Sequence, residues 1–260
     1  MYQYETLTVE CEKGVVQVAM NRPDVYNAFN EMQIEELTSC FSQLSEDESV
    51  YAIILTGKGR HFCAGADLNW MKKVATYTRE ENVADSRKLG DMFHTIDTCP
   101  KPVVGRINGS AFGGGVGLVA VCDVAVSSDQ AVFAFSEVKL GIVPAVISTY
   151  VVPKIGVSHA RALFVTGERF SAKRACEIGL VHKVCPLEEL DTHTDEIIHV
   201  LQSTGPRAAT AAKDLLRVWS QKPPDEYRSY TEQLIADLRA SEEGKEGITA
   251  FLEKRKPVWR

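Results

Sequence analysis

An α/β core followed by a helical C-terminal section is the architecture this sequence predicts, and two observations carry that reading. Short runs rich in β-branched residues alternate with amphipathic helical patterns as far as Phe135, the strand–strand–helix rhythm of an α/β domain. From Gly156 onward the pattern is mostly helical. No Pro- or Ser-rich linker separates the halves, although Thr204-Gly205-Pro206 marks a turn. Residues 1–200 are therefore expected to form the core, with residues 201–260 as helices packed on it.

The elements follow in order. Residues 6–10 and 15–20 read as strands flanking a hairpin turn at Glu12-Lys13-Gly14. Asn30 fits a helix N-cap, and Gln33 three residues on suggests a capping box. Ile34, Leu37, Phe41 and Leu44 then share one helical face. Residues 51–56 form a continuous apolar run, as a strand buried on both faces does. Gly57-Lys58-Gly59 ends it, and a loop runs to about Asn69. Residues 78–98 predict a surface helix with Val83, Leu89, Phe93 and Ile96 inward, stopped by Pro100 and Pro102. A strand at 103–107, a glycine-rich turn and a helix through Val121 come next, then strands at 124–127 and 132–135. Farther along, Leu215, Leu216 and Trp219 mark a helical stripe.

Composition excludes several classes. At 45% apolar and 25% charged, the chain of 260 residues has the make-up of a soluble globular protein, neither disordered nor fibrous. The longest nearly apolar run, residues 111–122, is glycine-rich and too short to span a bilayer. The N-terminus has no basic head and no apolar block, so no secretory or transit peptide is expected. A net charge of −6 argues against nucleic acid as the main ligand. The seven cysteines are odd in number, form no CxxC and have no histidine cluster at metal spacing. Reduced structural thiols in the cytoplasm, with no metal, are the expectation. Cys63 lies in the most informative loop.

Three segments place chemistry just after a strand. Residues 61–68 (His-Phe-Cys-Ala-Gly-Ala-Asp-Leu) have small side chains that leave backbone N–H groups open, and Asp67 can cap a following helix. Residues 108–117 form a glycine-rich helix entry whose N–H groups can face an anion. Residues 135–144 put one carboxylate, Glu137, at the end of an apolar strand. A nearly dry carboxylate there has a raised pKa and can act as acid or base near neutrality. Each alone has an ordinary structural reading: close packing, a turn, a solvated Glu. Residues 115–120 also match the dinucleotide fingerprint GxGxxA. The preceding strand ends several residues too early for that motif, and the acidic candidate lies beyond a second strand.

In this order and spacing the segments resemble the crotonase family, the enoyl-CoA hydratase/isomerase superfamily. The likeness includes Asn21-Arg22-Pro23 with Asn27-Ala28-Phe29, Lys101-Pro102-Val103-Val104 and the tail at residues 250–255. The resemblance implies a spiral of ββα units and a C-terminal helical section, over residues 201–260, that assembles trimers or dimers of trimers. It implies a coenzyme A thioester as substrate, with no separate cofactor, metal or membrane. The thioester oxygen would sit between the amides of Ala66 and Gly114, with Glu137 as the catalytic carboxylate. Ala64, Ala66, Asp67 and Leu68 would contact the coenzyme A adenine, Phe251 would pack near the nucleotide and Lys254 would meet the 3′-phosphate, often from a neighbouring subunit.

One departure stands out. Hydratases of the family commonly carry a second glutamate three residues after the oxyanion glycine, and here that position is Gly117. A single carboxylate fits an isomerase, which shuttles one proton between carbons. Local wording at residues 113–120, 136–141 and 144–148 instead resembles the methylglutaconyl-CoA and isohexenylglutaconyl-CoA hydratases, in leucine and acyclic-terpene breakdown. Their substrates carry an extra carboxylate, for which Lys72, Lys73, Arg79 and Arg87 are candidate partners. Hydratase is the favoured reading, isomerase the runner-up, and a non-catalytic acyl-CoA- or RNA-binding relative the alternative of another class.

Overall fold

The computed structural model describes residues 3–259. Strands β1 (Leu7–Glu12) and β2 (Val15–Met20) form an antiparallel hairpin around Lys13-Gly14. Helix α1 (Glu31–Glu46) buries Ile34, Leu37, Phe41 and Leu44 as their spacing predicts. The Asn30 side chain accepts from the Gln33 N–H at 2.9 Å, but the capping box is half made. The Gln33 side-chain amide lies buried with no partner, because it packs inward instead of reaching back.

Strand β3 (Ala52–Gly57) is buried at every residue. Ile53 and Leu55 enter the main core, while Ala52 and Ile54 meet Ile198 on the other face, so helices cover both sides of the sheet. Helices α2 (Leu68–Val74) and α3 (Arg79–Asp97) follow, α3 closed at its start by a full Thr78–Glu81 capping box. Its inner stripe is Met92, Phe93 and Ile96, whereas Val83 is exposed, because the first turns of α3 stand clear of the core.

Two ββα units build the middle of the chain. The first is β4 (Val103–Ile107), β5 (Ala111–Phe112) and α4 (Gly114–Val121). The second is β6 (Val124–Ser128), β7 (Val132–Ala134) and α5 (Ala145–Thr166). In each, the first strand joins a six-stranded sheet ordered β1-β2-β3-β4-β6-β9, and the second joins a small sheet β5-β7-β8. Strand β8 (Arg169–Ser171), helix α6 (Ala172–Glu177) and strand β9 (Lys183–Cys185) complete both sheets.

Helices α7 (Leu190–Gln202), α8 (Pro206–Trp219), α9 (Pro224–Ala240) and α10 (Glu242–Leu252) end the chain. Helix α5 starts eleven residues before the point where the helical pattern emerges in sequence, and Gly156, at φ 75° and ψ 157°, interrupts it. The stripe on α8 lies outward: Leu216 and Trp219 are 74% and 66% exposed. No helix of the described residues is long and apolar enough to cross a membrane.

Candidate active site

The two glycine-bearing loops are sewn to each other and to residues 26–29. Phe62 and Cys63 donate their N–H groups to Ser110 O, and Phe112 N donates to Cys63 O at 3.0 Å. Ala64 N donates to Tyr26 O, Phe29 N to Gly65 O at 2.6 Å, and Asp67 N to Phe29 O at 2.7 Å. The approach is so close that a Cβ on Gly65, at φ +90°, would stand 2.8 Å from Phe112 O. Asp67 fixes the end of the first loop. Its carboxylate accepts from Asn69 N at 2.8 Å and Trp70 N at 3.3 Å, and pairs with Arg22 at 2.9 Å. Burial opposes its charged form, yet these bonds together hold its pKa below the ordinary value.

This stitching leaves two donors over. Phe29 bridges Ala66 in parallel fashion, using Gly65 O and Asp67 N, so the Ala66 N–H points the opposite way. Gly114 is the first residue of α4, so its N–H is one of the helix-entry donors without an intrahelical acceptor. Both residues line one cavity of about 1030 Å³ with a mainly apolar wall.

Glu137 lines the same cavity. It sits within a 3-10 turn, Ser136–Leu140, instead of at the strand end, because β7 stops at Ala134. A Cβ on Gly113, which has φ +51°, would lie 3.2 Å from Glu137 Oε1. Position 113 must therefore be glycine, both for its backbone and to admit the carboxylate. Glu137 Oε2 is buried with no hydrogen-bond partner. Burial raises its pKa, opposed by a hydrogen bond from its own backbone. A carboxylate poised in this way is a proton acceptor awaiting a partner.

The sector beside Gly117 is closed. A Cβ there would come within 2.4 Å of Ile147 Cγ2 and 2.9 Å of the Phe93 ring. Hydrocarbon thus occupies the space that a side chain at position 117 would need. The fingerprint glycines Gly115 and Gly117 lie inside α4, where a Cβ on Gly115 would meet Cys63 O at 2.3 Å. Close packing explains them.

Ala64 and Leu68 join the cavity wall, while the Asp67 carboxylate is committed to Arg22 and the α2 cap. Phe251, 82% exposed, and Lys254 lie outside the cavity lining, as do Lys72, Lys73, Arg79 and Arg87. Cys63 is fully buried and its thiol is pushed up to about 12, so it is no nucleophile. Sequence reasoning missed Trp70, Asp85 and the start of α5, where Val146 and Ile147 line the wall. The spacing of Asn82, Asp85, Ser86 and Leu89 was the available signal for the α3 face.

The Enoyl-CoA hydratase/isomerase family matches residues 10–260. A short-chain-enoyl-CoA hydratase of Clostridium acetobutylicum is 32% identical, over 98% of this chain and 97% of that protein. A crotonyl-CoA hydratase of Syntrophomonas wolfei is 33% identical, covering 97% of each. The crystal structure of an enoyl-CoA hydratase from Shewanella pealeana superposes with a TM-score of 0.95 at 38% identity, covering 99% of this chain and 97% of that one. The chain belongs to the enoyl-CoA hydratase/isomerase family, and its α/β fold with helical C-terminal section is the crotonase fold.

Proposed function

We propose that this hydratase of the family adds water across the double bond of a 2-enoyl-CoA thioester with an uncharged acyl chain, using Glu137 as its single catalytic carboxylate. The observation that carries the reading is the pairing of two free N–H groups, of Ala66 and Gly114, with a half-buried Glu137 whose Oε2 has no hydrogen-bond partner, all in one cavity. The thioester oxygen fits between the two donors. As water attacks Cβ, Glu137 accepts its proton and electron density moves onto that oxygen, giving an enolate. Preorganised donors of this kind contribute roughly 3–4 kcal/mol each. Glu137 then returns the proton to Cα, and the hydroxyl remains on Cβ. Coenzyme A is part of the substrate, so the proposal includes no separate cofactor.

The wall favours hydrocarbon. Leu140, Ile142 and Val143 line the cavity yet remain exposed, surface that an acyl chain would cover. A methylglutaconyl or isohexenylglutaconyl ester calls for a cation or polar donor at its carboxylate; the lining residues include no Lys, Arg or His, and Asn82, Ser86 and Ser136 are the neutral donors there. Such esters are therefore the less favoured acyl groups. The closed sector at Gly117 supports a second reading, isomerase, in which Glu137 moves a proton from Cα of a 3-enoyl ester to Cγ.

The helical section over residues 201–260 supports assembly into trimers or dimers of trimers. Helices α8 and α9 bury no residue within the protomer and present Leu216, Trp219 and Ile235 outward. Phe251 and Lys254 would then serve the coenzyme A of a neighbouring subunit, while the backbone of Ala64, Ala66, Asp67 and Leu68 serves that of their own. All seven cysteines are free, which supports a cytoplasmic setting.

The test is product mass from a panel of 2-enoyl-, 3-enoyl- and branched glutaconyl-CoA esters. Gain of one water on a neutral 2-enoyl ester, lost in Glu137→Gln, is expected. A shifted double bond at unchanged mass would establish the isomerase, and turnover restricted to glutaconyl esters would overturn the uncharged-chain reading.

A further inference from the structure

Glu137 shares its cavity with one other ionisable side chain among the lining residues, Asp85 of α3. Asp85 stands on the helix face that also carries Asn82, Ser86 and Leu89 to the wall. Its Oδ1 accepts from Trp70 Nε1 at 3.4 Å, and the Trp70 side chain is buried and lines the same space. That bond anchors the carboxylate in the wall and favours its charged form. Burial acts the other way and raises its pKa. No cation lies in the lining, although Lys88 and Lys73 act on the carboxylate from outside it and oppose the effect of burial. Lys73 is paired with Glu31 and Lys88 with Glu35 at 3.0 Å, and both lysines lie outside the lining.

The helix also gives Asp85 its place along the cavity. Phe93 of α3 packs beside Gly114, its ring 3.9 Å from where a Gly114 Cβ would lie and 2.9 Å from that of Gly117. Asp85 is eight residues earlier on the same helix, which is about 12 Å along its axis. An acyl chain held by its carbonyl between Ala66 and Gly114 therefore approaches Asp85 when it is of medium length, and a four-carbon chain stays clear.

We propose that Asp85 is a specificity-determining residue that makes the far end of the acyl pocket accept neutral chain ends and reject those ending in a carboxylate. The inference rests on the reading of the cavity as an acyl-CoA site. Two like charges a few ångströms apart in a partly dry wall repel strongly enough to weaken binding on the order of tenfold or more. A neutral chain end meets no such repulsion.

Calorimetric titration with saturated thioesters tests this without relying on turnover. The probes are butyryl-CoA, 8-hydroxyoctanoyl-CoA and suberyl-CoA, the last two alike in length with a polar uncharged end and a carboxylate end. The wild-type protein should bind the hydroxy ester on the order of tenfold tighter than suberyl-CoA. Asp85→Asn should bring the two within about threefold of each other, and Asp85→Glu, which keeps the charge, should preserve the gap. Asp85→Ser is a second neutral variant in case the asparagine does not fold, and butyryl-CoA should bind alike throughout. Equal binding of the two long esters by the wild type, or an unchanged gap in both neutral variants, would overturn the filter. If none of the three thioesters binds the wild type, the acyl-CoA reading itself fails and takes the filter with it.

Discussion

Introducing a carboxylate at position 117 should damage the protein instead of improving it. Carbon atoms in good contact lie about 3.5–4.0 Å apart, whereas a Cβ on Gly117 would lie 2.4 Å from Ile147 Cγ2 and 2.9 Å from Phe93. Even Gly117→Ala forces a displacement of about 1 Å in a packed core, which costs roughly 1–3 kcal/mol. The better helix propensity of alanine returns up to about 1 kcal/mol of that. Gly117→Glu must also push a carboxylate between Phe93 and Ile147, both buried. Burying that group adds several kcal/mol, for a total of about 4 or more.

Removing the obstacle tests the cause. Ile147→Ala alone should cost about 2–4 kcal/mol through the cavity it leaves. The double variant Gly117→Ala/Ile147→Ala should cost less than the sum, with a coupling of about 1–2 kcal/mol. Urea unfolding of the wild type, both single variants and the double variant, at one protein concentration, measures this directly. Strict additivity, or a Gly117→Ala protein more stable than the wild type, would refute the packing argument. A faster hydration rate in Gly117→Glu would show that the sector is open to a second carboxylate after all.

Further outcomes follow from the site. Glu137→Gln should lower hydration by about 10²–10⁴-fold. Because burial raises the Glu137 pKa above 4.5, the native state holds this proton more tightly than the unfolded chain. Its contribution is most favourable below the unfolded value and is lost as pH rises through the folded one. Glu137→Gln should therefore be at least as stable as wild type at pH 7 and show no advantage at pH 4, read from unfolding curves at both. Arg22→Met removes the partner of a carboxylate that is 5% exposed and should cost about 3–5 kcal/mol. It should also raise KM more than it lowers kcat, if the loop at residues 64–68 that loses its anchor holds coenzyme A as proposed. Gly114→Val should fail twice, because its Cβ would stand 2.8 Å from the Phe29 ring: steady-state kinetics should show lost activity and thermal unfolding a lowered Tm. Leu216→Asp with Trp219→Asp should shift the mass in sedimentation toward the protomer, and an unchanged mass would remove α8 from the assembly surface.

Much of the fold was legible locally. The strands β1, β2, β3, β4, β6 and β7, together with the stripe and the Asn30 N-cap of α1, all announce themselves within a dozen residues, because side-chain periodicity and capping are short-range effects. The first half of α5 was not legible because it begins after Pro144 with no side-chain cap to mark it. Strands β5, Ala111–Phe112, and β8, Arg169–Ser171, are too short to show a period, and exist because of the neighbours they pair with. Val83 was assigned inward on spacing alone, although it lies exposed while Asn82, Asp85 and Ser86 carry the inner face of these turns.

The sequence by itself determined the two glycine-bearing loops, the single carboxylate Glu137 and the absence of a second at Gly117, since these are matters of residue type and order. Tertiary structure decided which donors stay free. The Ala66 N–H is available because Phe29 takes the bonds on either side of it, a partner far away in the chain. It likewise decided that the space at Gly117 is filled by Phe93 and Ile147, and that Asp85 faces the same cavity as Glu137. Hydrogen-bond saturation and close packing are properties of groups brought together from distant segments, so they come into being when the chain folds.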